Sequence, residues 1–128
     1  MTKKVGVILS GCGVFDGSEI QEAVITLLAL DRLGAEVIIM APDRVQMHVI
    51  DHQTNELIDG RLRNTRVESA RIARGAVRDI AHVKAQELEA LVIPGGFGAA
   101  KNLCDFAVNG PDCEVDRDVA RLILEIHR

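Results

Sequence analysis

Three short apolar runs constrain this chain more than anything else in it. They are Val5 to Leu9, the segment "AEVIIMAP", and "LVIPGG", and each stops at glycine or proline. A run of this length, apolar on consecutive residues, suits a strand buried on both faces. Between the first two lies a helical segment that ends at Gly34. Strand, helix and strand in that order predict a βαβ unit with a parallel sheet and a right-handed crossover. Capping-box spacing allows the helix to start from Ser18 with Gln21, or from Asp16 with Glu19. It is apolar on nearly all sides from Ala23 to Leu30, which predicts cover on two faces.

The rest of the chain follows the same grammar. Val45 to Asp51, a turn at Gln53 to Glu56, and Leu57-Ile58 predict a β-hairpin. Asn64 to Arg74 predicts a helix closed by Gly75, "FGAAKNLCDFA" starts another, "GPDCEVD" is a loop, and Val115 to His127 is a final amphipathic helix. With 128 residues the chain is one domain, 1–128, large enough to bury about two-thirds of its unfolded surface. The expected architecture is an open α/β sheet, in which ligands bind outside the carboxyl ends of the strands. Gly11 to Gly17 and Gly95 to Gly98 fall at such ends, so the site is expected between them.

Composition removes several classes of function. Aromatics are 2% of the chain, which leaves little to stack nucleobases on. A net charge of −4 is wrong for a general nucleic-acid or anionic-membrane binder, so neither partner is expected. The six arginines from Arg61 to Arg78 read first as a solvated helix face and only second as an anion site. Cys12, Cys104 and Cys113 have no CxxC pairing or metal spacing, which fits a reducing compartment, and the chain reads as soluble and intracellular. His48 and His52 share a strand face, with no third metal ligand evident, so sheet packing or surface is the expectation and no metal is assigned.

The first glycine loop poses the central question. Gly11-x-Gly13 followed by Gly17 resembles a dinucleotide loop, but its spacing is GxGxxxG, and Asp16, Glu19 and Glu22 would repel a phosphate. A dinucleotide-binding domain is therefore a remote alternative, with only Asp43 placed to hold a ribose, and no cofactor is expected. Glu19 reads first as a helix cap. Glu22 sits one turn into the helix, directly before Ala23-Val24-Ile25, where a charge is costly unless paired or used. A half-buried glutamate there is a natural general acid and base. The backbone of Pro94-Gly95-Gly96 can aim N–H groups at an incoming oxygen.

"LSGCGVFDGSEIQEA", "APDRVQMHVIDH", "ESARIARG" and "PGGFGAAKNL" together resemble the ElbB family, also called sigma cross-reacting or enhancing lycopene biosynthesis proteins. That family lies in the ThiJ/PfpI branch of the class I glutamine amidotransferase-like superfamily, and the likeness runs over all 128 residues. It implies a flavodoxin-like three-layer α/β sandwich, with a mainly parallel sheet plus the hairpin. It also implies a homodimer, and a cytoplasmic location that is mitochondrial in a eukaryote. The implied activity is glyoxalase-like, a lyase acting on a small aldehyde without glutathione and turning glyoxal into glycolate.

On the matching positions, Glu22 would contact a cysteine nucleophile and Gly96 would donate to the oxyanion. Gly11, Cys12, Gly13, Glu19, Gly95 and Phe97 would line the pocket. This chain departs from relatives at Gln21, where His is frequent, and at Cys104, where Ser is frequent. The family's nucleophile lies beyond the position matching Arg128, so residues 1–128 are expected to be the N-terminal part of a longer domain. Of the cysteines present, only Cys12 is expected to reach a ligand, and it reads first as a packed thiol. A non-catalytic binding or chaperone-like module of the same fold is the alternative.

Overall fold

A computed structural model describes residues 2–128. A four-stranded parallel sheet is formed by β1 (Lys4–Ile8), β2 (Glu36–Ala41), β5 (Arg78–Asp79) and β6 (Ala90–Val92), in the order β5-β2-β1-β6. The hairpin is β3 (Ile50–Asp51) against β4 (Glu56–Leu57), antiparallel, with Ile50 opposite Leu57. The helices are α1 (Ile20–Arg32), α2 (Thr65–Ala73), α3 (Gly98–Lys101), α4 (Phe106–Asn109) and α5 (Arg117–His127). Among the described residues no helix is long and apolar enough to cross a membrane.

The pleat sorts the apolar runs into two cores. Val7 and Leu9 of the first run meet Ala23 of α1, with Leu27, Leu30, Val37 and Ile39 packed around them. Ile8 and Met40 face the opposite way and pack with Leu103, Val119 and Leu122. Alternation along a strand thus makes both faces of the sheet apolar, and helices must cover both. The result is a three-layer sandwich with α1 and α2 on one side and α5 on the other.

Four differences from expectation have local causes. The sheet gains a strand, β5, because Arg78 and Asp79 pair with Met40 and Ala41; a polar two-residue strand has no apolar signature. The segment "FGAAKNLCDFA" breaks into α3 and α4, since Cys104 is bridged to Val115. That same bridge delays α5, which starts at Arg117 under an Asp116 cap. The fourth concerns α1. Its cap is Glu19 rather than Ser18 or Asp16, and among the described residues it is covered on one side only. Val24, Ile25 and Leu28 are 47%, 64% and 47% exposed, so the apolar run is not buried on two faces here.

Candidate functional site

The strand order sets the position of the site. From β1 the chain moves to β2 and β5 on one side, then crosses to β6 on the other. β1 is therefore the topological switch point, and the crevice opens at the carboxyl ends of β1 and β6. The two glycine loops leave from there. Gly11, Gly13 and Gly96 hold φ values of 116°, 145° and 115°, a region that side-chain-bearing residues rarely adopt.

The two loops are stitched to each other rather than left open. Glu19 N–H donates to Gly95 O at 2.6 Å, Gly98 N–H to Gly17 O at 2.9 Å, and Phe97 N–H to Val14 O at 2.8 Å. Within the first loop, Gly13 N–H donates to Ser18 O and Gly17 N–H to Gly13 O, at 2.9 and 2.7 Å. Gly11 N–H donates to Ser69 Oγ at 2.9 Å. The amides of the three glycines, Gly11, Gly13 and Gly17, are thus spent inside the protein rather than turned toward a phosphate. The remote dinucleotide alternative gains no support from these glycines, whose place is explained by the close approach of two backbones.

At the crevice the structure brings Glu22 and Gly95 together. Gly95 N–H donates to Glu22 Oε1 at 3.1 Å. A Cβ on Gly95 would collide with that same oxygen. Glu19 caps α1, its carboxylate accepting the Glu22 N–H at 2.9 Å. Next to this pair stands Gly96, half-buried, whose N–H has no hydrogen-bond partner among the described residues. Glu22 itself is exposed in these residues. Its carboxylate is positioned by a backbone donor on the rim, and not by burial as its place before an apolar run had suggested.

The other expected pocket residues are distributed differently. Gly11 and Gly13 are buried framework. Phe97 projects from the second loop and is 56% exposed. Cys12 lines a separate cavity of about 110 Å³, together with Asp16, Gln46, His52, Arg63 and Glu68. Burial pushes its thiol above the ordinary range, with Arg71 the main opposing charge, so it stays protonated near neutral pH.

Some residues that hold the site together were not singled out by sequence reasoning. Asn102 is 5% exposed, and its amide donates to Ser10 O at 2.7 Å and Asp16 O at 2.8 Å. Its Oδ1 accepts the Met47 N–H at 2.9 Å. Asp16, read as a possible cap and as a carboxylate that would repel phosphate, turns its carboxylate to the Ile50 N–H at 2.9 Å, tying the hairpin to the first loop. His52 Nε2 accepts the Phe15 N–H at 3.2 Å, which leaves Nδ1 to donate to Ile50 O at 3.0 Å. That is the neutral tautomer, so the 3.8 Å approach to Asp16 is not an ion pair in this state. The available signal was only that "PGGFGAAKNL" carries an asparagine that no helix needs.

No protein-family model matches the chain. It is 54% identical over 125 residues to the human "Glutamine amidotransferase-like class 1 domain-containing protein 3, mitochondrial", covering 98% of this chain and 47% of that one. It is 53% identical over 124 residues to the "ES1 protein homolog, mitochondrial" of Rattus norvegicus, again with 47% of the relative covered. The chain thus spans about half the length of the curated relatives it matches. Among solved structures, an isoprenoid biosynthesis protein with amidotransferase-like domain from Ehrlichia chaffeensis superposes with a TM-score of 0.89 at 43% identity. That match covers 95% of this chain and 57% of the other. The likeness establishes the flavodoxin-type α/β fold.

Proposed function

Taking as premise that the homologues of this chain are glutamine amidotransferase-like class 1 proteins, we propose a more specific role for it. Residues 1–128 supply the carboxylate and oxyanion side of an ElbB-type site that converts glyoxal to glycolate without glutathione. One observation carries this reading. Glu22 Oε1 is held by Gly95 N–H at 3.1 Å, beside a Gly96 N–H that has no partner among the described residues. A fixed carboxylate next to an open backbone donor is what addition of a nucleophile to a carbonyl requires.

In the proposed reaction a cysteine thiol adds to one aldehyde carbon, and Gly96 N–H stabilises the alkoxide that forms. Glu22 takes and returns the proton as hydrogen moves from that carbon to its neighbour. Water then cleaves the resulting thioester, so glyoxal plus one water gives glycolate. The thiol comes from the length that the relatives possess and these 128 residues do not span. Cys12, protonated and in a different cavity, is not assigned to it. The reading includes a homodimer. It also includes a mitochondrial location in a eukaryotic cell, supported by the names of the human and rat relatives, and a cytoplasmic one otherwise.

The test is glyoxal consumption and glycolate formation by a full-length protein carrying this segment. Glu22→Gln keeps the Gly95 hydrogen bond but cannot carry the proton, and it should lower kcat by about 10²-fold or more with an unchanged melting temperature. Undiminished turnover in that variant would remove Glu22 from the mechanism. A wild-type protein without turnover would favour the binding-module alternative.

A further inference from the structure

The chain has only three aromatic residues, all phenylalanine, and the fold gathers all three around one cleft. Phe15 arrives from the first glycine loop, Phe97 from the second, and Phe106 from the start of α4. With Asn55, Lys101 and two alanines they line a cleft of about 570 Å³, within the range of small-molecule sites. Phe97 and Phe106 stay 56% and 53% exposed. A ligand that covers these two rings would take their apolar surface out of water.

Charge narrows what that is. Among the described residues, Lys101 is the only ionisable one lining the cleft. Its Nζ donates one hydrogen bond, to Phe15 O at 2.7 Å, and sits 5.8 Å from the centroid of the Phe97 ring. An ammonium group has three protons, so two remain for a ligand. Burial lowers the Lys101 pKa, against the pull of Asp16, so a bound anion would relieve an unfavourable environment. Phe15 is braced by His52, with ring centroids 5.0 Å apart, which keeps one wall in place.

We infer that this cleft binds a small aromatic carboxylate, its ring among Phe15, Phe97 and Phe106 and its carboxylate on Lys101. A single cation suits one carboxylate and not a polyanion, and 570 Å³ suits one ring-bearing molecule rather than a folded partner. Asn55 offers a further polar contact at the lip. The inference does not depend on thiol chemistry, since neither Glu22 nor Gly96 lines the cleft.

Titration of a full-length protein carrying this segment with phenylacetate, followed by calorimetry and by amide NMR shifts, tests it directly. Saturable binding is expected, with shifts centred on Phe15, Phe97 and Lys101. Phenylacetamide, isosteric but neutral, should bind about tenfold or more weakly, because it cannot form the charge-assisted hydrogen bond. Lys101→Met should lose a similar factor, and Lys101→Arg should recover most of it. Phe106→Ser, on the surface, should weaken binding without lowering the melting temperature. No saturation by about 10 mM phenylacetate would overturn the inference, being weaker than any useful site. Equal binding of acid and amide, or an unaffected Lys101→Met, would also overturn it.

Discussion

Gly95 and Gly96 are neighbours in sequence, yet their missing side chains do different work. A Cβ on Gly95 would meet the end of the Glu22 side chain, which can swing aside. A Cβ on Gly96 would strike the Gly17 carbonyl and come within 2.5 Å of Glu19 N and 2.8 Å of Ser18 C, all of it backbone. Gly96 also holds φ 115°, which costs any other residue roughly 1–3 kcal/mol before the collision is counted. Gly96→Ala is therefore expected to destabilise by about 3 kcal/mol or more, and Gly95→Ala by about 1 kcal/mol or less. Urea unfolding midpoints give both values; equal losses would show that the two loops are not packed backbone to backbone. Gly95→Ala has a second expected effect, displacing the Glu22 carboxylate while the fold stays intact.

At the level of elements, one buried amide ties together the loops around the site. Asn102 follows α3 and joins the first glycine loop, through Ser10 O and Asp16 O, to the segment after β2, through Met47 N–H. Asn102→Leu would leave three backbone groups without partners. At about 1–3 kcal/mol for each buried unpaired group, a loss of at least about 3 kcal/mol is expected. Asn102→Asp keeps the acceptor and loses both donated bonds, so it should fall between leucine and wild type; chemical denaturation orders the three. A leucine variant as stable as wild type would mean that the loops are held by their backbone stitching alone. The cap of α1 shows the same logic. Ser18 was free to cap, but the fold uses its Oγ to accept the Ser10 N–H at 2.9 Å, and Glu19 takes over the helix end.

Across the whole molecule, two cores share one sheet. Leu122 of α5 is fully buried on one face, while Val7 and Leu9 fill the other face of the central strand. Leu122→Ala should cost about 2–5 kcal/mol. Because β1 belongs to both cores, amides of β2 and α1 should lose hydrogen-exchange protection together with α5. Unchanged protection on the α1 face would show that the layers unfold independently. Much of this architecture was legible in the chain itself. Three apolar runs with glycine or proline stops become β1, β2 and β6, and the helix expected from Asn64 to Arg74 is α2, with Asn64 as its cap. Local composition suffices there, because burial on both faces and helix capping are properties of a few adjacent residues. What composition cannot carry is pairing. Arg78 and Asp79 are a strand only because Met40 and Ala41 lie alongside them. Likewise β6 lies beside β1 only through contacts about 85 residues apart in the chain, Val5 opposite Ala90. The sequence alone determined the three longest strands, the helices α1, α2 and α5 and the glycines at the crevice. Tertiary structure decided that those glycines spend their amides on each other, that Glu22 stands on an exposed rim against Gly95, and that three scattered phenylalanines share one cleft. Each of these is a contact between segments distant in the chain, and no short-range pattern encodes it.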